Sequence, residues 1–159
     1  FNTRTNGAVS MTIDSTGAIT KPLQPAFLAT KSANQENFTV GSLQTITFDT
    51  EVFDQNADFA SNTFTAPVTG RYCLDVVIRT LQLDSASGYY YIELKTSNRS
   101  YLNILDPDFG QDAGHWTFTL SVLADMDAND TAYVGIIQQS GSAQTDINNQ
   151  SYFSGYLVA

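Results

Sequence analysis

Alternation of apolar and polar residues at a period of two is the feature that most limits the fold of this 159-residue chain. In GRYCLDVVIRTLQL every second residue from Tyr72 to Ile78 is apolar, and in GHWTFTLSVL the same holds from Trp116 to Val122. A period of two is the side-chain repeat of a β-strand with one buried face. No apolar pattern of period 3.6 is sustained anywhere, so we predict an all-β chain.

Further strands and turns alternate along the rest of the sequence. TITFDTEVF, YYYIELK and TAYVGIIQQ are rich in β-branched and aromatic residues, which favour strands. Between the strands stand DSASG, DPDFGQDAG, DMDAND and SGSAQTDINN, which consist of turn-forming residues. Roughly eight to ten strands with short polar connections predict an antiparallel jelly-roll sandwich.

Composition argues against two classes of partner. Sixteen acidic residues against seven scattered basic ones give a net charge of -9, whereas nucleic-acid binding needs clustered Lys and Arg. No apolar run approaches the roughly 20 residues of a membrane span, so we expect no membrane insertion. The single cysteine, Cys73, excludes an internal disulfide, and its apolar surroundings predict a buried, inert thiol.

Residues 1–25 differ from the rest of the chain. They contain a hairpin signal at Asn6-Gly7, a second turn at 14–17, and two prolines that form a stiff connector, Pro22 and Pro25. A meander of this size cannot be stable alone, so it must pair with copies of itself or lie on another body. We therefore predict a β-hairpin neck over 1–25 and a globular head over 26–159. Because the chain begins with Phe1 rather than Met, we interpret it as a fragment of a longer protein.

The final segment, SYFSGYLVA, has no charged residue and two apolar faces. Phe153 and Leu157 lie on one face, and Tyr152, Tyr156 and Val158 lie on the other. The core of one subunit can cover only one of these faces. We expect identical subunits, arranged around a symmetry axis, to cover the other.

From Pro25 to Ala159 the chain resembles the C1q-like globular domain, the trimeric jelly roll related to tumour necrosis factor. PAFLAT resembles the first strand of that family, and GRYCLDV resembles its glycine-x-tyrosine-x-hydrophobic run. SVLADMDANDTAYV and the closing SYFSGYLVA resemble its penultimate hairpin and its last strand. The resemblance implies a C1q/TNF-like jelly-roll homotrimer without enzymatic activity.

The neck carries a second resemblance. No Gly-x-y repeat precedes the head, and MTIDSTGAITKPLQPAF resembles the short β-repeats before C-terminal heads of bacteriophage fibres, especially those of marine phages. This implies a receptor-binding head at the extracellular fibre tip of a virion, joined to upstream fibre segments. Its partner would be a glycan or protein receptor on the host surface. The alternatives are a structural trimerisation cap without a receptor role, or a secreted C1q-like lectin or signalling module.

The most acidic loop, DPDFGQDAG, holds Asp106, Asp108 and Asp112. Clustered carboxylates are ligands for calcium, and family members that bind calcium use this loop, so these three residues are our predicted calcium site. The alternative is an Asp-rich surface turn. In DMDAND a hairpin turn is the stronger interpretation.

Tyrosines complete the predicted subunit interface. Alternation places Tyr90 inward and Tyr89 and Tyr91 outward on one strand, where they could stack on sugars or lie between subunits. We favour the interface. Our predicted interface set is Tyr89, Tyr91, Tyr152, Tyr156 and Val158.

The receptor-binding residues are not identified by any motif. We expect them in the apical loops 84–88, 106–114 and 141–149. His115 begins a strand near this apex, and neither a nucleophile nor a zinc-ligand set accompanies it, so no catalytic residue is predicted.

Overall fold

The computed structural model describes residues 1–159, with the side chain at position 5 excepted. The strands in chain order are β1 (Asn2–Thr5), β2 (Ala8–Ile13), β3 (Ile19–Thr20), β4 (Ala26–Thr30), β5 (Gln44–Thr45), β6 (Thr50–Gln55), β7 (Phe59–Ala60), β8 (Thr63–Thr65), β9 (Gly70–Leu83), β10 (Tyr89–Thr96), β11 (Ser100–Leu105), β12 (Ala113–Met126), β13 (Thr131–Gln139), β14 (Asp146–Ile147) and β15 (Tyr152–Leu157). Among the described residues, none form a helix long and apolar enough to cross a membrane.

Two six-stranded antiparallel sheets form the head. The terminal sheet, named for the last strand, has the order β12-β9-β15-β4-β6, with β14 paired to β9. The facing sheet has the order β11-β10-β13-β8-β7, with β5 paired to β13. Neighbouring strands are mostly distant in sequence, as in a jelly roll. The predicted all-β sandwich is confirmed.

The core lies between the sheets and is built largely from phenylalanine. Phe27 stacks on Phe59 and Phe64 with ring centroids 5.0 and 4.8 Å apart, and Phe153 meets Phe27 edge-on at 4.9 Å. These rings come from both sheets, and each buried one stabilises the fold by about 1.5–3 kcal/mol. The predicted inward residues of β9 are all buried: Tyr72, Leu74, Val76 and Ile78.

Strands β9 and β12 set the long axis of the head. Each has 14 residues, and they pair from Leu83 opposite Ala113 at one end to Gly70 opposite Met126 at the other. We call the first end, next to loop 84–88, the apex, and the second end the base. At the base, the Gln24 amide donates to the carbonyl of Leu157, so the neck joins the head there.

Cys73 corrects one prediction. Its side chain is only partly buried, because alternation along β9 turns it to the outward face of the terminal sheet, beside Asp75. Partial burial, followed by the charge of Asp75, raises the pKa of the thiol. The thiol is therefore not buried as predicted, although its raised pKa disfavours the reactive thiolate.

The neck is a separate three-stranded antiparallel sheet of order β1-β2-β3. Asn6 and Gly7 both have positive φ in the turn between β1 and β2, as the hairpin signal predicts. Between β2 and β3, the Asp14 carboxylate accepts the N–H groups of Thr16 and Ala18 at 2.7 and 3.0 Å. The Gln55 side chain of the head donates to the carbonyl of Lys21 at 2.9 Å.

Candidate binding surface

The three loops that were expected at the apex meet at one carboxylate. One oxygen of Asp112 accepts the backbone N–H and the hydroxyl of Ser85 at 3.0 and 2.9 Å. The other oxygen accepts the Gln144 amide at 2.8 Å. Donation by Gln144 first, and by Ser85 second, lowers the pKa of the Asp112 carboxyl below its ordinary value. Asp112 thus fixes loops 84–88, 106–114 and 141–149 relative to one another.

A buried carboxylate strengthens this arrangement. Asp84 lies at the end of β9 and is almost fully buried. Its side chain accepts the N–H of Ala86 at 2.8 Å and the N–H of Ser142 from the third loop. The Tyr90 hydroxyl, which bonds Thr145, accepts the N–H of Asp84 at 3.0 Å. The apex is therefore a preformed surface.

The structure does not group the three predicted calcium ligands around one point. Both oxygens of Asp112 are used by Ser85 and Gln144, while Asp106 and Asp108 are exposed. Across the part of the chain that the structure describes, no group of three His, Cys, Asp or Glu side chains could hold a metal ion. The calcium site stays a prediction, beside the alternative of a surface turn rich in Asp.

The second acidic segment, DMDAND, lies at the base. Asp125 forms a salt bridge with Arg99 at 2.8 Å. The carboxylate of Asp130 accepts the N–H of Asp127 at 2.8 Å and the Asn98 amide at 2.9 Å. These contacts are those of a hairpin turn, which was the favoured interpretation.

An aromatic pair at the apex was not predicted. Alternation placed Trp116 on the inward face of β12, but 36% of its surface is exposed; β12 is the edge strand of the terminal sheet. The Trp116 ring packs on Phe109 with centroids 5.3 Å apart and planes inclined by 30°. Phe109 is itself 40% exposed. The sequence signal that could have indicated this pair is an aromatic residue inside the turn DPDFG.

Polar side chains surround the aromatic pair. One concave surface of about 450 Å³ is lined by Phe109, Gln111, His115 and Trp116 among others. A second, of about 430 Å³, adjoins it across His115 and Trp116 and includes Arg79. His115 stands exposed at the start of β12, where the sequence placed it.

The outward face of the terminal sheet is a second candidate surface. Phe153 and Gly155 of β15 are buried, whereas Tyr156 and the following Val158 are 49% and 48% exposed and Tyr152 is half-buried. An apolar groove of about 550 Å³ runs along this face and is lined mainly by side chains of β4, β6 and β15. Within a single chain, one face of β15 is covered and the other is open.

The structure separates the five predicted interface residues into two groups. Tyr152, Tyr156 and Val158 belong to the terminal-sheet face. Tyr89 and Tyr91 lie on β10 in the facing sheet, with their rings nearly parallel and 6.1 Å apart. Tyr90 between them is buried, as predicted.

Comparisons with known proteins agree with this architecture. The sequence model of the C1q domain matches residues 26–158, beginning at the first residue of β4. The chain belongs to the C1q domain family. C1q and TNF-like domains typically form homotrimers and are generally non-enzymatic binding modules.

Solved structures place the C1q domain of this chain in the C1q/TNF-like fold. The globular domain of zebrafish complement 1qA protein is similar with a TM-score of 0.61 at 18% identity, over 86% of this chain and 98% of that one. Murine APRIL at pH 8.5 is similar with a TM-score of 0.60 at 8% identity, over 85% and 99%. A search of curated proteins found no match.

Proposed function

We propose that this C1q domain is the trimeric receptor-binding head of a bacteriophage fibre, which attaches the virion to the surface of its bacterial host. The observation that carries the proposal is the open apolar face of β15. A face with half-exposed Tyr156 in an apolar groove, followed by half-exposed Val158, needs a partner in water. In a family whose domains typically form homotrimers, two further copies of the chain are that partner.

The neck supports attachment to a fibre. It is a three-stranded sheet that leaves Phe1 and Ile19 exposed, and a sheet so small gains stability from neighbouring copies or from a continuing shaft. The neck joins the base, so the apex is the end that points away from the shaft. The resemblance of the neck to phage-fibre repeats supports the same arrangement.

The preformed apex supports a receptor-binding role. Hydrogen bonds at Asp112 and Asp84 hold its loops in place, which lowers the conformational entropy lost on binding. Three apices around one axis would engage a surface together, and an effective concentration in the millimolar range converts weak single contacts into firm attachment.

Three measurements on the purified chain test this proposal. Sedimentation equilibrium is expected to give three times the mass of one chain. The labelled trimer is then expected to bind cells of the bacterium that the encoding phage infects, and to reduce adsorption of that phage. A trimer that does neither would indicate the structural cap instead. A folded monomer at micromolar concentration would contradict both roles.

A further inference from the structure

We propose that Phe109 and Trp116, together with Gln111 and His115, form a binding site for a neutral pyranose sugar at the apex. This inference rests on the proposed function, since it names the chemical class of the receptor that the head would bind. It starts from the aromatic pair, whose two rings remain substantially exposed on an otherwise polar set of loops.

The geometry of the pair suits the apolar face of a sugar ring. Phe109 and Trp116 lie 5.3 Å apart with their planes inclined by only 30°, so they present a broad, shallow aromatic surface. The axial C–H groups of a pyranose pack well on such a surface, and burying them releases water from both partners.

Polar side chains around the two rings can form hydrogen bonds with the hydroxyl groups of the sugar. Gln111 supplies both a donor and an acceptor, His115 supplies ring nitrogens, and the indole of Trp116 supplies a donor. All three residues are exposed, so a ligand on the surface can reach their side chains. Small-molecule sites combine apolar lining with a few such polar groups.

Size and charge select the ligand. A concave surface of about 450 Å³ lies within the range of small-molecule sites. The same loop carries Asp106, Asp108 and Asp112 in a chain of net charge -9. These three carboxylates outnumber the one cation beside the site, Arg79, whose side chain bonds Gln150, so a neutral sugar is favoured over an anionic one.

The site is also held in shape before any ligand arrives. The N–H of Phe109 donates to the carbonyl of Pro107 at 2.6 Å, and Gly110 has a φ of 72°, a left-handed conformation that suits glycine. Two residues later, Asp112 anchors the loop to Ser85 and Gln144. Little ordering of the backbone is therefore needed on binding.

Trp116 is the only tryptophan of the chain, so intrinsic fluorescence reports on this site directly. We would titrate the full chain with glucose, galactose, N-acetylglucosamine and their β-linked disaccharides. At least one is expected to give a saturable change with a Kd in the millimolar range, as a site of one or two sugar rings allows. Phe109→Ala is expected to weaken that binding about tenfold.

The control is Leu102→Ala, which removes an exposed apolar side chain from β11 of the facing sheet and is expected to leave sugar affinity unchanged. The proposal is overturned if none of the neutral sugars changes the emission. It is also overturned if acrylamide fails to quench Trp116 in the wild-type trimer, because a neighbouring copy would then cover the site.

Cell attachment separates this inference from the proposed function. If Phe109→Ala trimers lose sugar binding but bind host cells as well as wild type, the sugar is not the receptor through which the head attaches, and the attachment role stands. If wild-type trimers bind sugar but no host cells, the attachment role is wrong and the sugar site stands. If Phe109→Ala loses sugar binding and cell binding together, both proposals are supported.

Discussion

Single carboxylates hold many of the turns of this protein. Asp14, Asp49 and Asp112 each accept hydrogen bonds from nearby N–H and O–H groups, and these bonds lower the pKa of each carboxyl below its ordinary value of 3.8. Thirteen of the sixteen acidic residues are Asp, which the sequence predicts to lie in turns. The predicted placement holds at these three positions.

We expect stability to fall on acidification below pH 3.8. A carboxyl with a lowered pKa in the folded state contributes stability that is fully present above the unfolded value of 3.8 and is lost as pH falls through the folded pKa. Asp58 contributes to the pH dependence in the opposite direction. Burial first, and the charge of Asp54 second, raise the pKa of its carboxyl, so protonating it on acidification favours the folded state. Urea midpoints measured from about pH 6 to about pH 2 would show the net effect. Asp112→Asn should make the urea midpoint less dependent on pH. If the midpoint of that variant changes with pH as much as that of the wild type, the role given to Asp112 is contradicted.

Gly155 lies where strands β15, β9 and β4 pack most closely. A Cβ atom there would lie 2.6 Å from Cδ2 of Leu74 and 2.8 Å from Cε1 of Phe27. We expect Gly155→Ala to destabilise the fold by about 1–3 kcal/mol through overpacking. Urea unfolding measures this. Gly114→Ala is the matched control, because its Cβ would meet no atom within 4 Å, and an equal loss in both variants would show that packing is not the cause.

At the scale of strands, the two faces of β15 have different roles. Its inward face belongs to the phenylalanine core, and its outward face lies in the apolar groove of the terminal sheet. The predicted interface also included Tyr89 and Tyr91, which lie on the other sheet. One pair of substitutions distinguishes the two groups.

We expect Tyr156→Asp to dissociate the trimer, because it places a charge in an interface that would otherwise be apolar. Tyr89→Asp makes the same chemical change on the facing sheet. Sedimentation equilibrium of both variants, with circular dichroism to confirm folding, is the measurement. If only Tyr156→Asp gives monomers, the interface is confined to the terminal sheet. If only Tyr89→Asp does, the assembly proposed for β15 is wrong.

Alternation in the sequence was sufficient to predict the long strands but not the short ones. Strands such as β9 and β10 show a clear period of two because one face packs on the core throughout. Strands β5 and β14 have two residues each and are defined only by their pairing with a strand distant in sequence. A local sequence pattern cannot predict such a pairing. In the same way, the sequence indicated that loop 106–114 is apical, but not that Asp112 would bond Ser85 and Gln144.

The whole molecule consists of a head and a neck joined by a few hydrogen bonds. The side chain of Gln24 donates to the carbonyl of Leu157, and the Leu157 N–H donates to the carbonyl of Pro25 at 3.0 Å. Both bonds lie after the last neck strand, in the connector. The connector is thus attached to the base more firmly than the neck sheet is.

Two truncations test this attachment. Removing residues 1–20 keeps Gln24 and Pro25, and we expect the urea midpoint to change little. Removing 1–25 also deletes the two bonds to Leu157 and the two that Gln55 donates to the carbonyls of Lys21 and Gln24. We expect a further loss of about 2–6 kcal/mol, from about 0.5–1.5 kcal/mol per hydrogen bond. If the shorter truncation already causes the full loss, the neck sheet itself supports the head.

The paired 14-residue strands β9 and β12 have a mechanical consequence. They run side by side from the base, where the neck joins the head, to the apex, which in the proposed role would contact a cell. Tension between a particle and its anchoring point would act along these strands, at right angles to the hydrogen bonds between them. Such a load is shared by the whole ladder in shear, and the bonds cannot break one after another as they do when a sheet is peeled from one end.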